Sequence, residues 1–119
     1  MPHEPKRNQR PASPASARFI APAAVRAAAA RGLRWRRETG KGGYEVGIAR
    51  ARDLSNGRPI TWETVLRMYS FFSRHQIDLI AEGASPGEVG FPSPGRVAWE
   101  LWGGDAGFRW VSELRRKFK

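Results

Sequence analysis

The run from Trp62 to His75 constrains the fold most. At 100° per residue, Trp62, Val65, Leu66, Met68, Tyr69, Phe71 and Phe72 cover more than half the circumference of a helix. The remaining stripe is narrow and polar. It holds Glu63, Arg67, Ser70 and Arg74, with Glu63 and Arg67 spaced i, i+4 for an ion pair. So apolar a helix must be covered by other elements on several sides, which predicts it as the hub of a helical core. Thr61, following Pro59, supplies an N-cap hydroxyl for its first turn.

Shorter signals place the other elements around this run. Pro22 suits a helix start, and the Ala-rich stretch that follows favours helix by propensity up to Arg37, with Gly40, Gly42 and Gly43 as terminators. A second helix is expected over Gly47 to Leu54, where Ile48, Ala51 and Leu54 recur at i, i+3, i+6. The alternation of Tyr44, Val46 and Ile48 also fits a strand. A fourth helix is expected from Arg96 to Trp102, with Val97, Leu101, Ala98, Trp102 and Trp99 inward and Arg96 and Glu100 on its outer side. A fifth, capped by Asp105, would present Phe108, Trp110, Val111, Leu114 and Phe118. The Gly/Pro-rich connection 78–94 reads either as a functional, mobile loop or as a surface excursion that packs Val89 and Phe91 back onto the core.

The expected architecture is therefore all-α: a small four- to five-helix orthogonal bundle over residues 19–119, completed by Trp99, Trp102 and Trp110. A disordered basic arm would precede it over residues 1–18, where Pro2, Pro5, Pro11 and Pro14 oppose regular structure. A chain of 119 residues fits one domain with a modest core, which five Trp and six Phe help to fill. It contains no cysteine, which removes disulfides and thiolate metal sites and is compatible with a reducing compartment. No stretch is long and apolar enough to span a bilayer, so no membrane partner is expected. The Arg-, Ala- and Ser-rich start also resembles an organellar transit peptide, although its prolines oppose the amphipathic helix such a segment needs.

Charge is distributed unevenly. Residues 1–41 carry a net +8, residues 42–105 a net −2 and residues 106–119 a net +4. Codon bias can explain why Arg outnumbers Lys 17 to 4, but not why acids are scarce at both ends. Clustered cations displace counterions from phosphates, giving salt-sensitive and largely sequence-independent affinity. Nucleic acid, DNA ahead of RNA, is therefore the expected partner, with an acidic protein or virion surface as the rival. Arg31, Arg34, Arg36, Arg37 and Lys41 form the main phosphate-contact candidate, interrupted by Trp35, which offers either a stacking platform or a core side chain. Arg109, Arg115, Arg116, Lys117 and Lys119 form a second cationic segment, which would also suit a C-terminal helix dipole. Lys6, Arg7, Arg10 and Arg18 supply the arm.

Catalytic chemistry has no candidate set, so a non-enzyme without cofactor or metal is expected. Gly40-Lys41-Gly42 fails the phosphate-binding loop pattern, because Trp35 and Gly42 stand where Gly and Ser/Thr are needed. His3 and His75 lie in unlike segments, and no His–carboxylate cluster has metal-ligand spacing. A helix-turn-helix over the second and third helices would need a shorter connection than Ser55–Ile60 and would leave Arg67, Ser70 and Arg74 to face bases.

The strings RGLRWRRETGKGG, VGIARARDLSNG, MYSFFSRHQ and FPSPGRVAWELWGGDAG resemble a small helical domain that recurs in tailed-phage and prophage proteins, sometimes beside head-maturation protease modules. The resemblance runs from about Arg31 to Trp110, and the Pro/Ala/Arg-rich start lies outside it. It implies a phage or mobile-element setting, in the host cytoplasm or the virion, with DNA packaging, head assembly and host interference as its roles. Phage capsid or a host protein thereby joins nucleic acid as an expected partner. The resemblance implies no individual functional residue.

Overall fold

The computed structural model describes residues 14–118, which form a small all-α bundle. Helices α1 (Ala23–Thr39), α2 (Glu45–Ser55), α3 (Trp62–His75), α4 (Pro94–Leu101) and α5 (Gly104–Lys117) follow one another along the chain. A short 3-10 turn, Pro14–Ser16, precedes the bundle, and a 3-10 segment, Gln76–Ile80, follows α3. Two strands of two residues each, β1 (Arg18–Phe19) and β2 (Ile60–Thr61), pair antiparallel, with Arg18 opposite Thr61 and Phe19 opposite Ile60.

Helix limits follow local chemistry. The Thr61 hydroxyl accepts from the Thr64 amide at 3.1 Å, and the Ser93 hydroxyl accepts from the Arg96 amide at 3.0 Å. Pro94 occupies the first turn of α4, where its missing N–H costs nothing. Helix α1 ends at Gly40, whose φ of 71° lets its amide reach back to the Arg36 carbonyl at 2.8 Å. The fifth helix differs from expectation. Gly103 stands at its N-cap, and Asp105 lies inside the first turn, where it accepts from the Trp99 indole N–H at 2.8 Å. A buried Trp N–H needs an acceptor, and this one takes the carboxylate that would otherwise cap.

The core is shared between α3 and α1. Val65, Met68, Phe71 and Phe72 of α3 are buried, whereas Leu66 faces solvent. Phe72 stacks on Phe108 of α5 at 5.2 Å and meets Trp99 edge-on at 4.8 Å. Helix α1 packs against α2, α4 and α5. Its small residues make this possible: Ala28, Ala29 and Gly32 are buried and let neighbouring backbones approach closely. A Cβ on Gly32 would lie 2.6 Å from the Leu101 amide nitrogen and 2.9 Å from the Glu100 carbonyl carbon. The α3 run is thus one of two organising elements rather than the single hub.

The expected arm boundary at residue 18 also moves. Arg18 sits in β1, and Phe19 joins Trp62 and Phe118 in a ring cluster with all three centroid separations between 5.8 and 5.9 Å. Residues 1–13 of the expected arm lie outside the described residues.

Gly32→Ala should lower stability by about 3 kcal/mol, since neither backbone contact can yield cheaply. Gly40→Ala, which meets nothing within 4 Å but retains the positive φ, should cost about 1 kcal/mol. Urea midpoints at constant m-value would measure both.

Candidate nucleic-acid interface and a second groove

The structure separates the arginines of α1 into different environments. Helix α1 carries Arg31 on the side that faces α4. There its Nε and Nη2 donate to one oxygen of Glu100, at 3.2 and 2.8 Å. Glu100 is 5% exposed, and its second oxygen lies 3.4 Å from Nη1 of Arg96. The expected outer side of α4 is therefore an internal ion triad. A carboxylate removed from water must be compensated, and Arg31 and Arg96 together do this. Arg31 is accordingly tied to a buried carboxylate, although its own side chain remains 41% exposed. Trp35 is partly buried and packs edge-on against Phe91 at 5.3 Å, with the Arg31 guanidinium 6.0 Å from its ring centroid. Lys41 donates to the carbonyls of Gly90 and Pro92 at 3.0 and 3.2 Å. Arg34 and Arg37 are exposed and have no carboxylate partner among the described residues.

Lys41 belongs to a set of bonds that closes the 81–93 loop. Arg96 Nε donates to the Ala84 carbonyl at 2.8 Å, and the Ser93 amide donates to Gly83 at 2.8 Å. Glu88 accepts from the amides of Gly83 and Ser85. Phe91 packs inward on Trp35, but Val89 is 83% exposed. The loop is a surface excursion, then, with only one of its two expected anchors.

The second cationic segment lies at the opposite end of α1. Both α1 and α3 begin beside the β1–β2 pair, and α5 ends there, because Phe118 contacts Phe19 and Trp62. The 17 residues of α1 span about 25 Å, which puts Arg34 and Arg37 about 17 and 21 Å along the helix from its start. Arg18 adjoins Phe19 in sequence, and Arg115, Arg116 and Lys117 lead into Phe118; all four are exposed, and none has a carboxylate partner among the described residues. Arg18 donates to the Ala17 carbonyl at 3.0 Å, and Arg115 lies over the Tyr69 ring at 4.4 Å. Arg109, one turn and more back along α5, is exposed beside a cavity of about 320 Å³. Lys6, Arg7, Arg10 and Lys119 lie outside the described residues. The expected continuous grip by both cationic segments is thus divided: a junction where β1 meets the end of α5, and a separate pair, Arg34 and Arg37, far along α1.

The helix-turn-helix geometry does not form. Helix α2 packs on α1 and α4. Arg67 pairs with Glu63 at 3.2 Å, and Arg74 is bound to Ser70.

Sequence reasoning missed a groove of about 730 Å³ where the C-termini of α1 and α3 meet the N-termini of α2 and α4. Arg36, Arg74, His75 and Asp78 line it together with Trp102. Phe71 stacks on Trp102 at 4.7 Å and 11° and on His75 at 4.4 Å and 26°. The Arg50 guanidinium lies 5.7 Å from the Trp102 centroid and 3.6 Å from Asp53. Burial lowers the pKa of Arg50, Asp53 opposes that effect and Arg67 adds to it. Periodicity assigned Phe71 and Trp102 to the core and carried no signal that the stack would open at one end.

Among the described residues no group of His, Asp and Glu could hold a metal ion, and no helix is long and apolar enough to cross a membrane. Compared with family models, curated proteins and solved structures, the chain matches none.

Removing the Glu100 carboxylate should leave Arg31 and Arg96 facing each other without compensation. Glu100→Ala is expected to cost about 3 kcal/mol or more, consistent with breaking a buried pair. Chemical denaturation would measure the loss, and a cost below about 1 kcal/mol would contradict the internal role.

Proposed function

We propose that the protein is a non-catalytic nucleic-acid-binding module that grips phosphates through the junction of β1 with the end of α5. The observation that carries this reading is that Arg18, Arg115, Arg116 and Lys117, which flank Phe19 and Phe118 of the ring cluster in sequence, are all exposed and have no carboxylate partner among the described residues. Exposed cations that meet a polyanion release counterions from it. The last turn of α5 adds its basic residues in the place where the helix dipole favours them. Arg34, Arg37 and Arg109 add positive potential elsewhere on the surface. Arg31 and Lys41 contribute little, since each is already bonded within the protein.

The phage setting implied by the sequence resemblance suits such a module, and DNA is the first polymer to test. A second reading, in which the 78–94 connection contacts a capsid or host protein, draws on Ile80 and Val89, whose side chains project into solvent.

Affinity for labelled duplex DNA and single-stranded RNA, followed from about 50 to 200 mM salt, should fall with a log–log slope near −0.9 per neutralised duplex phosphate. Replacing Arg115, Arg116 and Lys117 together by Gln should flatten the duplex slope by about 2.7, if each meets one phosphate. Replacing Arg31 and Lys41 should leave the slope unchanged. Absence of binding at the lowest salt would end this reading, and recovery of a capsid or host protein in its place would favour the second.

A further inference from the structure

The groove between the ends of four helices has no part in phosphate binding at the junction, yet it is chemically furnished. Its volume, about 730 Å³, lies in the range of small-molecule sites, roughly 300–1,000 Å³. Two arginines line it. Nε of Arg36, like that of Arg50, is shielded from solvent and has no hydrogen-bond acceptor among the described residues. Arg74 is the second cation, and Asp78, which accepts from His75 Nδ1 at 3.0 Å, is the one carboxylate on the lining among the described residues. The Trp102 indole nitrogen also lacks a bonded acceptor among the described residues. Gly47 lies beside it with no side chain to cover it, since a Cβ there would sit 3.1 Å away.

The aromatic stack gives the groove a shape preference. Trp102 and His75 each stack on Phe71, and they are not in ring contact with each other, so they occupy its two faces. Arg50 lies over Trp102 at one end of this column. The other end is His75, whose side chain is 40% exposed. A planar group laid on His75 would extend the column beside a groove that Arg36 and Arg74 also line.

We propose that this groove binds a small ligand that joins a planar ring to an oxyanion, the oxyanion meeting Arg36 and Arg74 and the ring stacking on His75. A phosphate ester of an aromatic base and an aromatic carboxylate share this chemistry. The site stands apart from the junction and does not depend on nucleic-acid binding there.

Titrating the full chain with adenosine monophosphate, benzoate and inorganic phosphate, while following backbone amide and indole N–H signals by NMR, tests the assignment. Shifts are expected in Gly40, Gly42, Gly43 and Gly47 and in the Trp102 indole on adding either ring-bearing probe, with phosphate alone binding at least tenfold more weakly. Benzoate responding alone would assign the ligand as a carboxylate, and adenosine monophosphate alone as a phosphate ester. Arg36→Gln should weaken binding about tenfold, the scale of one charge-assisted hydrogen bond. Arg74→Gln, on the open side of α3, gives an independent check should Arg36→Gln unfold. The Arg115/Arg116/Lys117→Gln variant should bind the probes as the parent does. No response to any probe would overturn the proposal. So would equal binding of phosphate and adenosine monophosphate, or shifts confined to the junction.

Discussion

Helix α1 approaches α4 closely because residue 32 has no side chain. A Cβ at Gly32 would collide with the backbone of Leu101 and Glu100, which cannot swing aside as a side-chain tip can. The same proximity brings Arg31 to Glu100 at 2.8 Å and makes burial of that carboxylate tolerable. Glu100 in turn holds Arg96, whose Nε anchors the long loop through Ala84. One missing side chain therefore links the packing of two helices, an internal ion triad and the closure of a loop.

The triad also decides which cations are free. A guanidinium bonded to a buried carboxylate cannot turn outward without exposing the pair to its full desolvation penalty. Arg31 is thereby removed from the external charge, and Lys41 is occupied with loop carbonyls. Cations at the β1–α5 junction face no such demand, because no described carboxylate is bonded to them. The protein's positive charge thus divides into an inner part that sustains the fold and an outer part available to a partner.

The same helices that meet at the core leave two different ends. At one, aromatic rings from β1, α3 and α5 close on one another and support exposed cations. At the other, an aromatic column stops at His75 and arginines face a groove. About 25 Å of α1 lies between them, so contacts at one end need not compete with contacts at the other.

Much of the fold was legible from periodicity and capping. The α3 run, the Thr61 cap, the Gly40 stop and the short fourth and fifth helices depend on neighbours three or four residues away, and a linear sequence displays those. Glu100 shows the limit: its spacing from Arg96 describes an ordinary surface pair equally well, and only Arg31, 69 residues away, makes it internal. The two-residue strands were invisible because so short a segment has no pattern. The sequence by itself determined that helices form, where α3 starts and α1 stops, and that both flanks are cationic, since these are properties of local backbone and composition. Which arginines remain available, and where a groove opens, was decided by tertiary structure, because burial and charge pairing depend on residues brought together from distant parts of the chain.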